Sequence, residues 1–391
     1  MKKKLMAVAV AGALAAPALA VAQTSTVQVY GRITYEYGII DQGEGQRETD
    51  YADSPGGSAI GFRGEEKLGG GLSAWFQCES SADVRALDQT GWCTRNSAVG
   101  FKGGWGNVHF GRWDTPMKRA LNVGTVGAEE TGILGMSFLP FGGSGGADAS
   151  GTGAEGNQQR QRWKRREAAL SYYESPRFNG FQFLGAFSSG NAGADSNPSE
   201  VPGVATANAV PRIWSLAGTY QNGPWGVGLA YEKHENMGIG GTQDLDDKGW
   251  GISGSYTFGG NVKVGATYMD QEYETGPASD LSRSTWTVGV DWRIQGPHSV
   301  QAQYASADDC DGVGAIGGNG GCTGSLAGGT GGQAISLAYS YAFSKRTRIK
   351  FGWVRVENDD NTRSFRIGNS ATLTQNGQKV DGYAFHIQHN F

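Results

Sequence analysis

The sequence predicts an all-β chain, a 16-stranded antiparallel transmembrane β-barrel. Three observations carry this. The chain ends DGYAFHIQHNF, where Tyr383, Phe385, Ile387, His389 and Phe391 share one parity and Ala384, His386, Gln388 and Asn390 the other. In a strand those two sets face opposite sides, one nearly all apolar and one mostly polar. Segments of the same alternating kind recur along the chain, and no 3.6-residue helical period stands out beyond the first segment. The connections sort by length, long and polar after odd strands and tight after even ones, as in a barrel inserted across a membrane. The composition agrees: Gly is 65 of 391 residues and hydrophobic residues only 38%, which suits many turns and a wet interior.

The strands occupy about 27–39, 58–65, 71–80, 94–102, 106–113, 166–175, 179–188, 211–221, 224–234, 248–258, 261–271, 283–294, 298–306, 333–343, 347–357 and 379–391. The first, VQVYGRITYEYG, sends Val27, Val29, Ile33, Tyr35 and Tyr37 toward lipid and Gln28, Tyr30, Arg32, Thr34 and Glu36 inward. Similar faces recur in GWGISGSYTF, VKVGATYMD and STWTVGVDW, and Tyr and Trp at strand ends fit interfacial girdles. Tight turns follow the even strands at Asn222, Gly259 and Ser344. In hydrocarbon only a helix or a closed barrel leaves no backbone group unpaired, so the last strand has to pair with the first. Sixteen strands enclose a bore too wide for side chains alone to fill, which argues against a purely structural or adhesive barrel.

Residues 1–22 read as a secretory signal: three lysines, an apolar stretch over 5–16 too short to span a bilayer, then two A-x-A sites. Cleavage is expected after Ala22, with Ala20 as the alternative, leaving 23–391 as a single barrel domain in the outer membrane of a Gram-negative cell. Removing Lys2, Lys3 and Lys4 takes the net charge from −4 to −7, a poor footprint for nucleic acid. The four cysteines allow three connectivities, of which the local pairs Cys78 with Cys93 and Cys310 with Cys322 are favoured, each closing a short loop. No metal site is expected, since C-x-x-C spacing and nearby histidines are absent, and no cofactor.

Other motifs are weaker. GGSGG at Gly142 to Gly146 matches G-x-S-x-G, but that elbow needs a strand before it and a helix after it, so an outer-membrane enzyme of lipase or protease type stands only as the alternative. His109, His234, His298, His386 and His389 are scattered, and the last two fall on opposite faces of one strand. DLDDKG at Asp244 begins like a calcium loop, yet Lys248 occupies a ligand position; ADDCDG at Asp308 reads as another acidic outer loop.

The segments SAIGFRGEEKLGGGLSAWFQCES, NSAVGFKGGWGNVHFGRWDTP, SYYESPRFNGFQF, YAFSKRTRIKFGW and HIQHNF together resemble the general diffusion porins of Gram-negative outer membranes, in particular the betaproteobacterial branch. The resemblance implies a homotrimer of barrels, each with a water-filled pore for small hydrophilic solutes and ions. It implies a long third loop folded into the lumen, a constriction where acids on that loop face bases on the wall, and a terminal Phe391 that resembles the signal read by the outer-membrane assembly machinery. The second loop, between Cys78 and Cys93, reaches over the neighbouring subunit in such proteins. The bilayer and its lipopolysaccharide complete the expected partners.

On that resemblance the wall bases are Arg32, Arg112 and either Arg165 or Arg166, with Arg63 replacing a basic position that is Ala59 here. The loop, about 114–165, keeps the acids Asp114, Glu129, Glu130, Asp148 and Glu155 but lacks the family's P-E-F-G-G glutamate in LPFGGSGG. Against them stand Lys118, Arg119, Arg160, Arg162, Lys164, Arg165 and Arg166. Screening acts over about 8 Å at physiological salt, so inside a constriction these local charges outweigh the net charge. The expectation is a pore that favours anions, with a substrate-specific channel as a further alternative.

Overall fold

The structure, a computed structural model, describes residues 26–43, 49–53, 58–82, 84, 91–127, 132–136, 139, 162–189, 212–236, 245–316, 322–324, 328–367 and 373–391. Its strands are β1(Thr26–Asp41), β2(Thr49–Asp53), β3(Ala59–Gly69), β4(Leu72–Ser81), β5(Ser97–Gly103), β6(Gly106–Asp114), β7(Arg166–Glu174), β8(Phe181–Ser189), β9(Arg212–Asn222) and β10(Trp225–Glu235). They continue with β11(Asp247–Phe258), β12(Val262–Gly276), β13(Ser279–Gln295), β14(His298–Ala307), β15(Asp311–Gly312), β16(Ala315–Ile316), β17(Cys322–Thr323), β18(Gly332–Ala342), β19(Thr347–Asn358) and β20(Lys379–Asn390). The sixteen long strands, β1, β3 to β14 and β18 to β20, pair antiparallel in sequence order as a closed barrel. The short β2 and β15 extend the sheet, and β16 with β17 makes a separate ribbon.

Closure occurs where alternation demands it. β1 pairs with β20 from Arg32↔Asn390 to Asp41↔Asp381, and with β3 from Thr26↔Glu65 to Arg32↔Ala59. Gly31 and Phe391 exchange both backbone hydrogen bonds, at 3.1 and 3.0 Å, so no edge is left at the seam. The faces are as predicted: Val27, Val29, Tyr35 and Tyr37 are exposed, Thr34 and Glu36 buried. On the last strand Tyr383, Phe385 and Ile387 point outward and His386 inward.

Three features depart from the sequence reading. The sixth outer connection, expected over 272–282, is a two-residue turn, because β12 and β13 continue as a hairpin to Gly276 and Ser279. A short helix, Pro116–Leu121, sits at the start of the third loop, where six residues give too little periodicity to recognise. The interior is also less wet than the low apolar fraction suggests. One apolar cluster joins Met117, Leu121 and Trp163 to Leu170, Leu184, Met269 and Tyr273. A second joins Ile133, Leu134, Met136 and Leu139 to Ile40, Val354, Val356, Phe365 and Val380. Loops folded inward thus dry part of the barrel. The Cys78 with Cys93 bridge is present, with Cα atoms 4.7 Å apart; Cys310 is also disulfide-bonded, and the side chain of Cys322 lies outside the described residues.

Candidate pore constriction

The third loop leaves β6 at Asp114, and Thr115 caps the helix, its Oγ1 accepting from the Lys118 amide at 3.3 Å, with Pro116 preset for the first turn. Ser215 Oγ accepts from the Met117 amide at 3.0 Å, and Ser253 Oγ donates to the Ala120 carbonyl at 2.7 Å, fixing the helix to β9 and β11. Beyond it the loop follows the inner wall across β12 and β13 on a track of glycines. A Cβ added at Gly228 would stand 2.3 Å from the Ala120 oxygen, at Gly265 2.3 Å from that of Gly124, and at Gly289 1.9 Å from that of Val126. Backbone can approach backbone this closely only where no side chain intervenes. The Ile133 amide then donates to Glu36 Oε1 at 2.6 Å, while Ile133 lies over Gly38 and Gly382 and Leu134 over Gly352. On its return Trp163 stacks on His234 at 4.5 Å and donates to Tyr273 Oη at 2.9 Å. These contacts fold the loop inward, as expected.

Five of the cations named for the loop, Lys118, Arg119, Arg162, Arg165 and Arg166, face carboxylates where it is clamped. Asp114 Oδ1 is 3.2 Å from both Lys118 Nζ and Arg166 Nη2, and Asn96 Nδ2 donates to Oδ2 at 3.0 Å. Arg119 pairs with Glu174; burial opposes its charge, yet Tyr172 and Glu174 together hold its pKa above the ordinary value. Arg162 pairs with buried Asp247, and Arg165 Nε lies 2.8 Å from Glu167 Oε2. The open register at Arg165 and Arg166 therefore resolves into two clamps, one to Glu167 and one to Asp114, rather than one solvated lumen charge. Arg112, half-buried, pairs in register with Ser97, and its Nη1 donates to the Thr94 carbonyl at 3.2 Å; against β7 the ladder shifts register at this residue, between Gly111 and Trp113. Trp113 takes the inward position beside Trp75 and His109, with ring centroids 5.8 and 5.0 Å away. Glu129, Glu130, Asp148 and Glu155 lie outside the described residues, as do Arg160 and the GGSGG stretch.

Toward the short-turn end, β19, β20, β1 and β3 form a wall with a different charge state. Arg32 lies between Ala59 and Asn390 in register, and Arg63 lies opposite Gln28. Arg63 Nε donates to Gln28 Oε1 at 2.9 Å, and its guanidinium covers the Tyr30 ring at 4.9 Å. Arg348 makes a two-pronged contact with Gln388 Oε1 at 3.1 and 2.7 Å. Gln28 and Gln388 meet these two guanidinium groups as neutral amides. Higher up, Glu79 accepts from Tyr30 Oη at 3.1 Å and from Arg95 Nε at 2.7 Å, and Lys350, His386 and Glu36 stand in one register line. Arg348, Lys350, Tyr30 and Glu79 were not assigned from sequence; parity in RTRIKFGW, with Arg348 and Lys350 alternating with Ile349 and Phe351, is the signal that finds the first two. Among the described residues no cluster of His, Cys, Asp or Glu fits a metal ion. Asp246 and Gly249 do not form a calcium loop: Asp246 bonds the Asn236 amide and Lys233, and Gly249 lies in β11.

Residues 7–361 match the Gram-negative porin family. The chain belongs to that family. This porin is 28% identical, over 400 residues and 100% of both chains, to outer membrane porin protein 32 of Delftia acidovorans. It is 34% identical over 188 residues to the major outer membrane protein P.IB of Neisseria gonorrhoeae, 46% of each chain. Among solved structures it resembles an anion-selective porin from Comamonas acidovorans, with a TM-score of 0.73 and 22% identity over 94% of this chain and 100% of that one. OmpT of Vibrio cholerae gives a TM-score of 0.62 at 16% identity, over 94% and 98%. The porin is an outer-membrane channel, and family and fold point to a channel rather than an enzyme.

Proposed function

We propose that this porin is a passive, anion-favouring diffusion pore, with Arg32, Arg63 and Arg348 as the charges a permeating ion meets on the wall. The observation that carries the reading is the division of guanidinium groups. Those holding the third loop face carboxylates, whereas Arg63 and Arg348 face the amides of Gln28 and Gln388. A lumen of low-dielectric walls focuses the field of wall cations on the solute path. The name of the Comamonas acidovorans relative, an anion-selective porin, points the same way. Solutes would partition by size at the docked loop and by charge against these arginines, without a conformational cycle. Reversal potential across a KCl gradient, measured on the purified protein in planar bilayers, tests this: chloride preference is expected, and clear potassium preference would overturn it.

The same reading takes residues 1–22 as the removed signal, 23–391 as one barrel domain, and Phe391 as a terminus the assembly machinery reads. It takes a homotrimer as the working unit, with the loop closed by the Cys78 with Cys93 bridge at the subunit contact. Exposed Trp92, 74% accessible beside Phe62, supports that role, because so large an apolar side chain on an outer loop suits a covered surface. Lipopolysaccharide is the expected neighbour of the outer loops. Reduction of the disulfide followed by mild gel electrophoresis tests the trimer contact; unchanged trimers after full reduction would remove the bridge from it.

A further inference from the structure

Among the described residues the third loop docks along β9 to β13 and then on Glu36, which leaves the inner face of β3 to β6 open. Inward positions on that wall fall into register lines, and one of them runs Arg63↔Gln77, Gln77↔Ala98 and Ala98↔Gly111. The long side chains flanking this line lean apart. Arg63 reaches back to β1, its Nε on Gln28 Oε1 and its guanidinium over the Tyr30 ring. Trp75, inward and two residues before Gln77, reaches the other way, and its indole N–H donates to Asn107 Oδ1 of β6 at 2.7 Å. Between them lie Ala98 and Gly111, whose side chains are too short to fill the gap.

One side of the gap is aromatic, although the inner face of a channel is ordinarily polar. The Trp75 and Trp113 rings meet edge to face with centroids 5.8 Å apart, and buried His109 backs both, at 5.3 and 5.0 Å. Both tryptophans stay partly accessible. Ring surface that faces water in this way is stabilised when a second ring covers it. The other side is cationic. Arg63 is exposed, and among the described residues its terminal Nη groups have no hydrogen-bond partner. The carboxylates nearest it on the wall face other cations, Glu79 with Arg95, and Glu65 with Lys67 and Lys102. From β3 to β5 is two strand spacings, about 10 Å. A solute with a ring at one end and a carboxylate a few ångströms beyond it spans that gap.

We infer that this wall binds aromatic carboxylates in transit, the ring against Trp75 and Trp113 and the carboxylate on Arg63. The inference deepens the anion-favouring reading and rests on it. The test is single-channel KCl current in planar bilayers with 3-phenylpropanoate added, 3-cyclohexylpropanoate serving as an anion of the same charge and chain length without the π face. Phenylpropanoate is expected to lower the mean current at millimolar concentration, and the cyclohexyl anion to need about twofold to tenfold more for equal block, the range of one aromatic contact. Trp75→Leu should bring the two anions close to equal. Arg63→Gln should raise the half-blocking concentration of both by about twofold to fivefold, the effect of losing one solvated ion pair. Equal block of the parent channel by the two anions, or an undiminished preference for phenylpropanoate in both Trp75→Leu and Trp113→Leu, would overturn the site and leave the anion reading standing. Potassium preference in KCl alone would instead overturn the anion reading, so the two failures are distinguishable.

Discussion

Replacing Gly289 by alanine tests whether the third loop is held by backbone contact with the wall. The new Cβ would lie 1.9 Å from the Val126 oxygen and 2.9 Å from its carbonyl carbon, where ordinary contact begins at 3.4 Å. The loop backbone must therefore retreat by the difference, about 1.5 Å, and the wall behind it is fixed by pairing with β12 and β14. The only direction open is into the lumen. Overpacking of this kind costs roughly 1–3 kcal/mol. The expected result is a lower single-channel conductance, together with a lower midpoint for heat-induced loss of the folded band on gels. Gly218→Ala is the control, since nothing lies within 4 Å of a Cβ there. Should Gly289→Ala conduct and melt like Gly218→Ala, the loop is not seated on the glycine track and its path has to be redrawn.

Further outcomes follow from the charges and anchors. Arg63→Gln and Arg348→Gln should each reduce chloride over potassium preference; a unit charge about 4 Å from an ion is worth about 1 kcal/mol in water, up to about a fivefold change in occupancy. Arg162→Gln, by contrast, should leave selectivity nearly unchanged while reducing thermal stability, because its partner Asp247 is buried. Trp163→Ala removes a fully buried side chain and should cost about 3–5 kcal/mol, read as a lower melting midpoint and noisier open-channel current as the loop's return loosens. Outside the spanning strands, burial alone would raise the pKa of Asp309, but the amides of Gly329, Thr330 and Gly331 and the Thr330 hydroxyl hold it below the usual carboxylate value. A depressed folded pKa contributes stability above the unfolded value of about 4 that is lost as pH falls through the folded one, so proteolysis near residues 309–331 should rise only in that acid range.

How much was legible depended on how locally each feature is encoded. Strand parity is a two-residue rule, so Val27 through Tyr37 and Tyr383 through Phe391 announce their faces, and hydrocarbon then forces the seam between them. The inward parity of Arg32 and Arg63 was readable for the same reason. Arg112 rests on the resemblance alone, because the register shift between Gly111 and Trp113 interrupts the two-residue rule there. The clamps on Arg162, Arg165 and Arg166 were not legible, since Asp247, Glu167 and Asp114 belong to strands whose register against the loop is set only on folding.

By itself, the sequence determined a closed barrel of sixteen strands, its lipid-facing and inward sets, and its family resemblance, because alternation and backbone satisfaction are properties of short segments. Tertiary structure alone decided which cations of the third loop are clamped to wall carboxylates. Inward glycines such as Gly228, Gly265 and Gly289 look like gaps in a strand pattern until a loop more than a hundred residues away in sequence lies against them. Whether an arginine ends opposite a carboxylate or an amide depends on that docking, and no local pattern encodes it.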